Sequence, residues 1–180
     1  MRMAWLVVAG FLVFVLDACG GSDDVVACTG NGCVCNASTC ACNDGVDCNA
    51  TCGSLDCSVA CNMMSKCSGD TDGALTIACN DSSECKGAGG DNSRVSCNES
   101  TKCDFKLGDT ATVACNASST CKIEVGDNSR IACGDSTTCT IKCDGDCLVA
   151  CTGSSECAVT CGSVAATTCA PGVYACGPCQ

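Results

Sequence analysis

The sequence predicts an all-β fold, a two-sided parallel β-solenoid with eighteen-residue coils, intracoil disulfides and irregular Cys-rich ends. Three observations predict it. Cysteines six residues apart recur every eighteen residues, at Cys61/Cys67, Cys79/Cys85, Cys97/Cys103, Cys115/Cys121, Cys133/Cys139 and Cys151/Cys157. A strict short period marks stacked coils. Two residues before the first cysteine of each pair stands a β-branched residue, namely Val59, Ile77, Val95, Val113, Ile131 and Val149. Past residue 20 the only aromatics are Phe105 and Tyr174, while cysteines number 27 in 180 residues. Aromatic burial normally dominates a core, and a cysteine share above about 8–10% marks a disulfide scaffold.

The N-terminus sets the redox compartment. Met1-Arg2-Met3 is followed by an apolar run from Ala4 to Leu16, thirteen residues long. That length suits a secretory leader and is too short to span a bilayer. The run ends in Leu16-Asp17-Ala18-Cys19-Gly20, which resembles a bacterial lipobox. The resemblance implies a lipoprotein signal peptide over 1–18, lipidation of Cys19 and a lipidated tether over 19–27. It also implies a membrane partner through the N-terminal lipid and a place on the outer membrane or cell surface. With Cys19 set aside, 26 cysteines remain, enough to close thirteen disulfides. Export makes those bridges chemically reasonable. An irregular Cys-rich cap is expected over 28–41, solenoid repeats over 42–168 and a second cap over 169–180.

Within a coil, take the first cysteine as position 0. Apolar residues alternate with polar ones on both flanks of the pair, as in Val113-Ala114-Cys115 and Cys121-Lys122-Ile123-Glu124-Val125. Period-two alternation predicts one strand ending at position 0 and a second starting at position 6. Position 8 holds Phe105, Ile123, Ile141 and Val159, with Gly69 and Gly87 breaking the series. Gly90-Asp91-Asn92, Gly108-Asp109-Thr110 and Gly126-Asp127-Asn128 suit a closing turn that needs positive φ. Parallel rungs about 4.8 Å apart would stack into a rod of about 34 Å.

A C-x5-C turn brings two Cα atoms within bridging distance, so a staple is expected inside each coil, at the six pairs named above. Cys143–Cys147 and Cys52–Cys57 would close the opposite turn, and Cys28–Cys33, Cys35–Cys40 and Cys42–Cys48 the N-terminal end. The sequence leaves the pairing of Cys161, Cys169, Cys176 and Cys179 open.

The turn C-x2-S-x2-C occurs at Cys79/Ser82/Cys85, Cys97/Ser100/Cys103, Cys115/Ser118/Cys121, Cys133/Ser136/Cys139 and Cys151/Ser154/Cys157. It resembles the turn of the hyperactive beetle antifreeze proteins, small right-handed β-solenoids stapled within each coil. The resemblance implies that the position-3 serine turns its hydroxyl inward. The family's Thr-Cys-Thr ice-matching strand has no counterpart here, since the equivalent triplets read Ala78-Cys79-Asn80, Ser96-Cys97-Asn98 and Ala114-Cys115-Asn116.

For function, a net charge of −11 opposes nucleic acid as a partner. The chain has no histidine, and no Ser, Cys or carboxylate stands outside the repeat pattern. The expectation is therefore a non-enzymatic protein without a cofactor. The candidate binding face is the outward side of the first strand, where Asn80, Asn98 and Asn116 stack and Arg94 and Arg130 share a second column. A flat, regular strip suits a repetitive polysaccharide or protein surface, and small residues packed side by side on a solenoid also produce one. The leading expectation is a structural or adhesive cell-surface module. The alternatives are an ice- or crystal-binding protein and a cysteine-rich metal-binding protein. Dense C-x-C spacing is confined to Cys33/Cys35 and Cys40/Cys42, so no metal ligands are assigned. Asp91, Asp109 and Asp127 share a phase but do not follow the nonapeptide of calcium-binding β-rolls.

Overall fold

The computed structural model describes residues 26–179. The expectations for the leader, for Cys19 and for the tether up to residue 25 concern residues outside that range. Among the described residues all regular structure is β. Strands β1 (Ala27–Thr29) and β2 (Val34–Asn36) come first. The coils follow as β3 (Thr39–Cys42) with β4 (Asp47–Thr51), β5 (Cys57–Cys61) with β6 (Lys66–Asp70), and β7 (Leu75–Cys79) with β8 (Glu84–Gly89). Next are β9 (Arg94–Cys97) with β10 (Lys102–Leu107), and β11 (Thr112–Cys115) with β12 (Thr120–Val125). The last coils are β13 (Ser129–Cys133) with β14 (Thr138–Cys143), and β15 (Cys147–Cys151) with β16 (Glu156–Cys161). Strands β17 (Val164–Ala165), β18 (Thr167–Ala170) and β19 (Val173–Cys176) end the chain.

Even-numbered coil strands stack in parallel as sheet A and odd-numbered ones as sheet B. The register is one coil per rung: Cys97 pairs with Cys115, and Cys115 with Cys133. Cys42 pairs with Cys61, which places a one-residue insertion in the loop around Cys52–Cys57. The two-sided solenoid with its eighteen-residue coils is therefore the architecture of this chain.

Strand alternation decides what is inside. β10 reads exposed-buried throughout, with Cys103, Phe105 and Leu107 inward and Lys102, Asp104 and Lys106 outward. From sheet B, Val59, Ile77, Val95, Val113, Ile131 and Val149 meet them across a thin core. The two glycines that interrupt position 8 are explained by their neighbours. A Cβ on Gly69 would lie 3.1 Å from Leu75 Cδ1 and 3.4 Å from Val59 Cγ2, so Leu75, fully buried, already fills that space. A Cβ on Gly87 would run into the Gly69 carbonyl, so the backbone of the preceding coil excludes a side chain there.

Both ends of the stack are closed by reversed strands. β1 runs antiparallel to β4 and β2 to β3. At the other end β17 runs antiparallel to β16, and β19 to β15 with β18 outside it. An exposed strand edge is a template for aggregation, and these five strands cover both ends of the parallel stack in each sheet, with β1, β17, β18 and β2 outermost.

Candidate functional site

Thirteen disulfides join the 26 described cysteines. Each coil carries its own staple, Cys61–Cys67, Cys79–Cys85, Cys97–Cys103, Cys115–Cys121, Cys133–Cys139 and Cys151–Cys157. The opposite turn is closed by Cys52–Cys57 and Cys143–Cys147, and the N-terminal end by Cys28–Cys33, Cys35–Cys40 and Cys42–Cys48. The four cysteines that the sequence left open pair as Cys161–Cys176 and Cys169–Cys179. The first ties β16 to β19, so the C-terminal cap is bolted to both sheets. Stacking makes the staples a buried sulfur column: the sulfurs of Cys61, Cys67 and Cys85 lie within 4.8 Å of one another, as do those of Cys97, Cys103 and Cys121.

The first turn bends through two consecutive left-handed residues. Asp81 and Ser82 have φ of 55° and 60°, Glu99 and Ser100 61° and 64°, Ala117 and Ser118 53° and 62°, and Asp135 and Ser136 51° and 64°. Successive bends stack, because the N–H of Ser82 donates to the Glu99 carbonyl (2.9 Å) and that of Ser100 to the Ala117 carbonyl (2.8 Å). This geometry corrects one inference drawn from the antifreeze resemblance. Ser82, Ser100, Ser118, Ser136 and Ser154 are exposed, and the buried hydroxyls belong to the following residue, Ser65, Ser83, Thr101, Ser119 and Thr137. The Ser119 hydroxyl donates to the Asn116 carbonyl at 2.6 Å and accepts from Thr101 at 3.1 Å. Ser65 Oγ and Ser83 Oγ are buried without a partner among the described residues.

Beside this bend runs an amide ladder. Asn62 Nδ2 donates to Asn43 Oδ1 (2.9 Å), Asn80 to Asn62 (3.0 Å), Asn98 to Asn80 (3.1 Å) and Asn116 to Asn98 (3.3 Å). The ladder thus carries the Asn80, Asn98 and Asn116 column on through Asn62 to Asn43, which the eighteen-residue period does not mark because the insertion sets it nineteen residues before Asn62. At Gly134 the ladder stops.

The second turn carries a carboxylate ladder. The N–H of Asp109 donates to Asp91 Oδ1 (2.8 Å), that of Asp127 to Asp109 Oδ1 (2.8 Å) and that of Asp146 to Asp127 Oδ1 (2.7 Å). Positive φ falls on Asn92, Thr110 and Asn128, whereas Gly90, Gly108 and Gly126 do not take it. Gly108 and Gly126 are needed for space. A Cβ on Gly108 would sit 2.3 Å from Asp91 Oδ1, and one on Gly126 2.1 Å from Asp109 Oδ1.

Between the two turns lies the outer face of sheet B. One column reads Ser58, Thr76, Arg94, Thr112, Arg130 and Leu148, and the next Ala60, Ala78, Ser96, Ala114, Ala132 and Ala150. The amide ladder forms its border, so Asn80, Asn98, Asn116, Arg94 and Arg130 do share one face. Every side chain in the second column is small, and the face carries no acidic residue among the described residues. All six lysines, from Lys66 to Lys142, stand instead on the outer face of sheet A. There Lys122 meets Asp104 at 3.2 Å and Lys142 meets Asp144 at 2.8 Å. The hydrogen bond and charge of Asp144 hold the Lys142 ammonium above its ordinary pKa, and Lys142 holds the Asp144 carboxyl below its own. In the first turn, a hydrogen bond to the Asp81 carboxylate and that group's charge raise the Glu99 carboxyl above the usual range.

The chain matches no family model, no curated protein and no solved structure.

Proposed function

We propose that this chain is a non-enzymatic structural or adhesive module of the cell surface. A lipid on Cys19 anchors it, and it presents the outer face of sheet B to a repetitive partner, a polysaccharide or a protein surface. The observation that carries this reading is the regularity of that face. Its rows repeat at the strand spacing of about 4.8 Å, its middle column is Ala or Ser throughout, and its amide border is held by four hydrogen bonds between coils. Stapled rungs cost little to order on binding, and preorganisation of this kind favours affinity. The disulfide content supports an extracellular location.

Cosedimentation with insoluble cell-envelope polysaccharide tests the face. Thr76→Lys with Thr112→Lys places bulk on exposed positions of sheet B, and binding should fall about tenfold or more. Thr140→Lys, exposed on sheet A, should leave it unchanged. Equal loss from both variants, or retention in both, defeats the reading. Intact mass of the mature protein, compared with that of Cys19→Ser, tests the anchor separately.

One observation favours a second reading, metal–thiolate binding: sulfur trios such as Cys115, Cys121 and Cys139 lie within 4.8 Å of one another, a spacing that reduced thiolates could use for a soft cation. Zinc uptake by reduced but still folded protein would support it. Unfolding on reduction without zinc uptake would remove it.

A further inference from the structure

Arg94 and Arg130 are the only cations among the described residues that stand off sheet A. Both are exposed. Neither makes an ion pair among the described residues, where the ion pairs all use Lys122 or Lys142. Each pairs with Thr112 between them, so the guanidiniums stand in one column, two coils apart. Their rise is about 9.6 Å, twice the strand spacing of about 4.8 Å.

The adjoining turn edge carries the complementary array. Asp91, Asp109 and Asp127 rise one coil at a time, and each is fixed through Oδ1 by an N–H of the next coil. Their carboxylates are exposed and have no cationic partner among the described residues. Arg94 follows Asp91 by three residues, and Arg130 follows Asp127 by three. Column and edge therefore share the same axial levels.

We propose that the Arg94/Arg130 column of one copy docks on the Asp91–Asp127 edge of a second copy, the two solenoids lying side by side with parallel axes and no stagger. Arginine's planar fork matches a carboxylate whose orientation is already fixed. Exposed ion pairs are individually weak. The shared period lets two form in a single docking, so the second forms at high effective concentration. Docking also relieves repulsion along an edge that has no internal counter-charge. The contact is heterologous, leaving each copy a free edge or a free column, so association continues past two copies. The column lies on the same sheet B face as the partner proposed above, so the two contacts compete, and the arginine variants separate them.

Sedimentation velocity of the oxidised full chain across a concentration series tests it. At about 0.01 M salt, where charges act over about 30 Å, the mean sedimentation coefficient should rise with concentration, and at about 1 M, where their reach is about 3 Å, it should stay monomeric. Arg94→Asp with Arg130→Asp, both on exposed strand positions, should weaken association about tenfold or more. Lys86→Asp with Lys122→Asp makes the same change in net charge on sheet A and should have a smaller effect. A monomer at low salt overturns the proposal, and so does equal sensitivity to the two double variants. Binding of soluble polygalacturonate by a monomer, lost in the arginine variant, would assign the column to a polyanion and also overturn it.

Discussion

Gly126 shows how one residue's chemistry is set by the coil below it. Its φ lies outside the left-handed region, so conformational freedom does not explain it. The nearest atom to an added Cβ would be Asp109 Oδ1 at 2.1 Å, the oxygen that accepts the Asp127 N–H. Gly126→Ala must move the carboxylate and break that bond, so it should cost about 1–3 kcal/mol in denaturant melts. In an Asp109→Ala background the penalty should shrink, and full additivity would show that the two do not couple. The buried hydroxyls of the first turn give an opposite pair of outcomes. Ser119→Ala removes a hydroxyl that donates to the Asn116 carbonyl and accepts from Thr101, and should cost about 1–3 kcal/mol because the buried Thr101 hydroxyl is left with only the weak Cys103 sulfur contact at 3.9 Å. Ser83→Ala deletes a buried oxygen that has no partner among the described residues, and should be neutral or stabilising by about 1 kcal/mol. Equal losses at the two sites would contradict this account.

Turns and staples act at the scale of the element. Opening Cys115–Cys121 with two alanines releases a loop of about seven residues, worth about 2.4 kcal/mol by the chain-entropy estimate. The loss measured by chemical denaturation should be of that size or larger, since the sulfurs also fill the core and fix which residues face inward. The stacked bends add a pH dependence. Glu99 has a raised pKa beside Asp81, so the folded state binds its proton more tightly than the unfolded chain does. The repulsion is fully present at neutral pH and is lost as pH falls through the raised value, so stability should rise there. Asp144 has the opposite sign: its pKa is lowered, so its contribution is present above the unfolded value and lost as pH falls through the folded one. Glu99→Gln should flatten the acid-side rise in melting temperature, and an unchanged profile would rule out the pair as its source. These elements also show what the sequence made legible. Strands and staples were readable because period-two alternation and C-x5-C spacing are local. The inward hydroxyl was misplaced by one residue, because a bend with two left-handed residues turns the second of them outward, and no residue type marks that. Asn43 was missed because the insertion breaks the period. Cys161–Cys176 was not readable because it depends on the β18–β19 hairpin, whose reversal leaves no periodic trace.

At the scale of the molecule, charge and edges follow one plan. Lysines alternate with acids on sheet A, sheet B carries two arginines and no acid among the described residues, and the net negative charge falls on the turn edges. The long sides of the rod are thus polar or small, and its unprotected backbone lies at the two ends, where β1, β2, β17 and β19 run antiparallel to the terminal rungs. Antiparallel addition matters physically. A further parallel rung would present the same ladder again, whereas a short reversed strand breaks that register, and beyond β15 the β18–β19 pair is also bulged. Ending the chain after Gly162, with Cys161→Ser to avoid a free thiol, would bare the edges of β15 and β16 together. The expected result is end-to-end assembly that binds thioflavin and grows with concentration. Because ladder hydrogen bonds drive it, this assembly should persist in about 1 M salt, where the reach of charge falls to about 3 Å, and should be indifferent to Arg94→Asp with Arg130→Asp. Those two properties separate it from side-by-side docking of intact solenoids. A truncated chain that stays monomeric and folded would mean that the parallel stack protects its own edge, and that the hairpin cap serves another purpose.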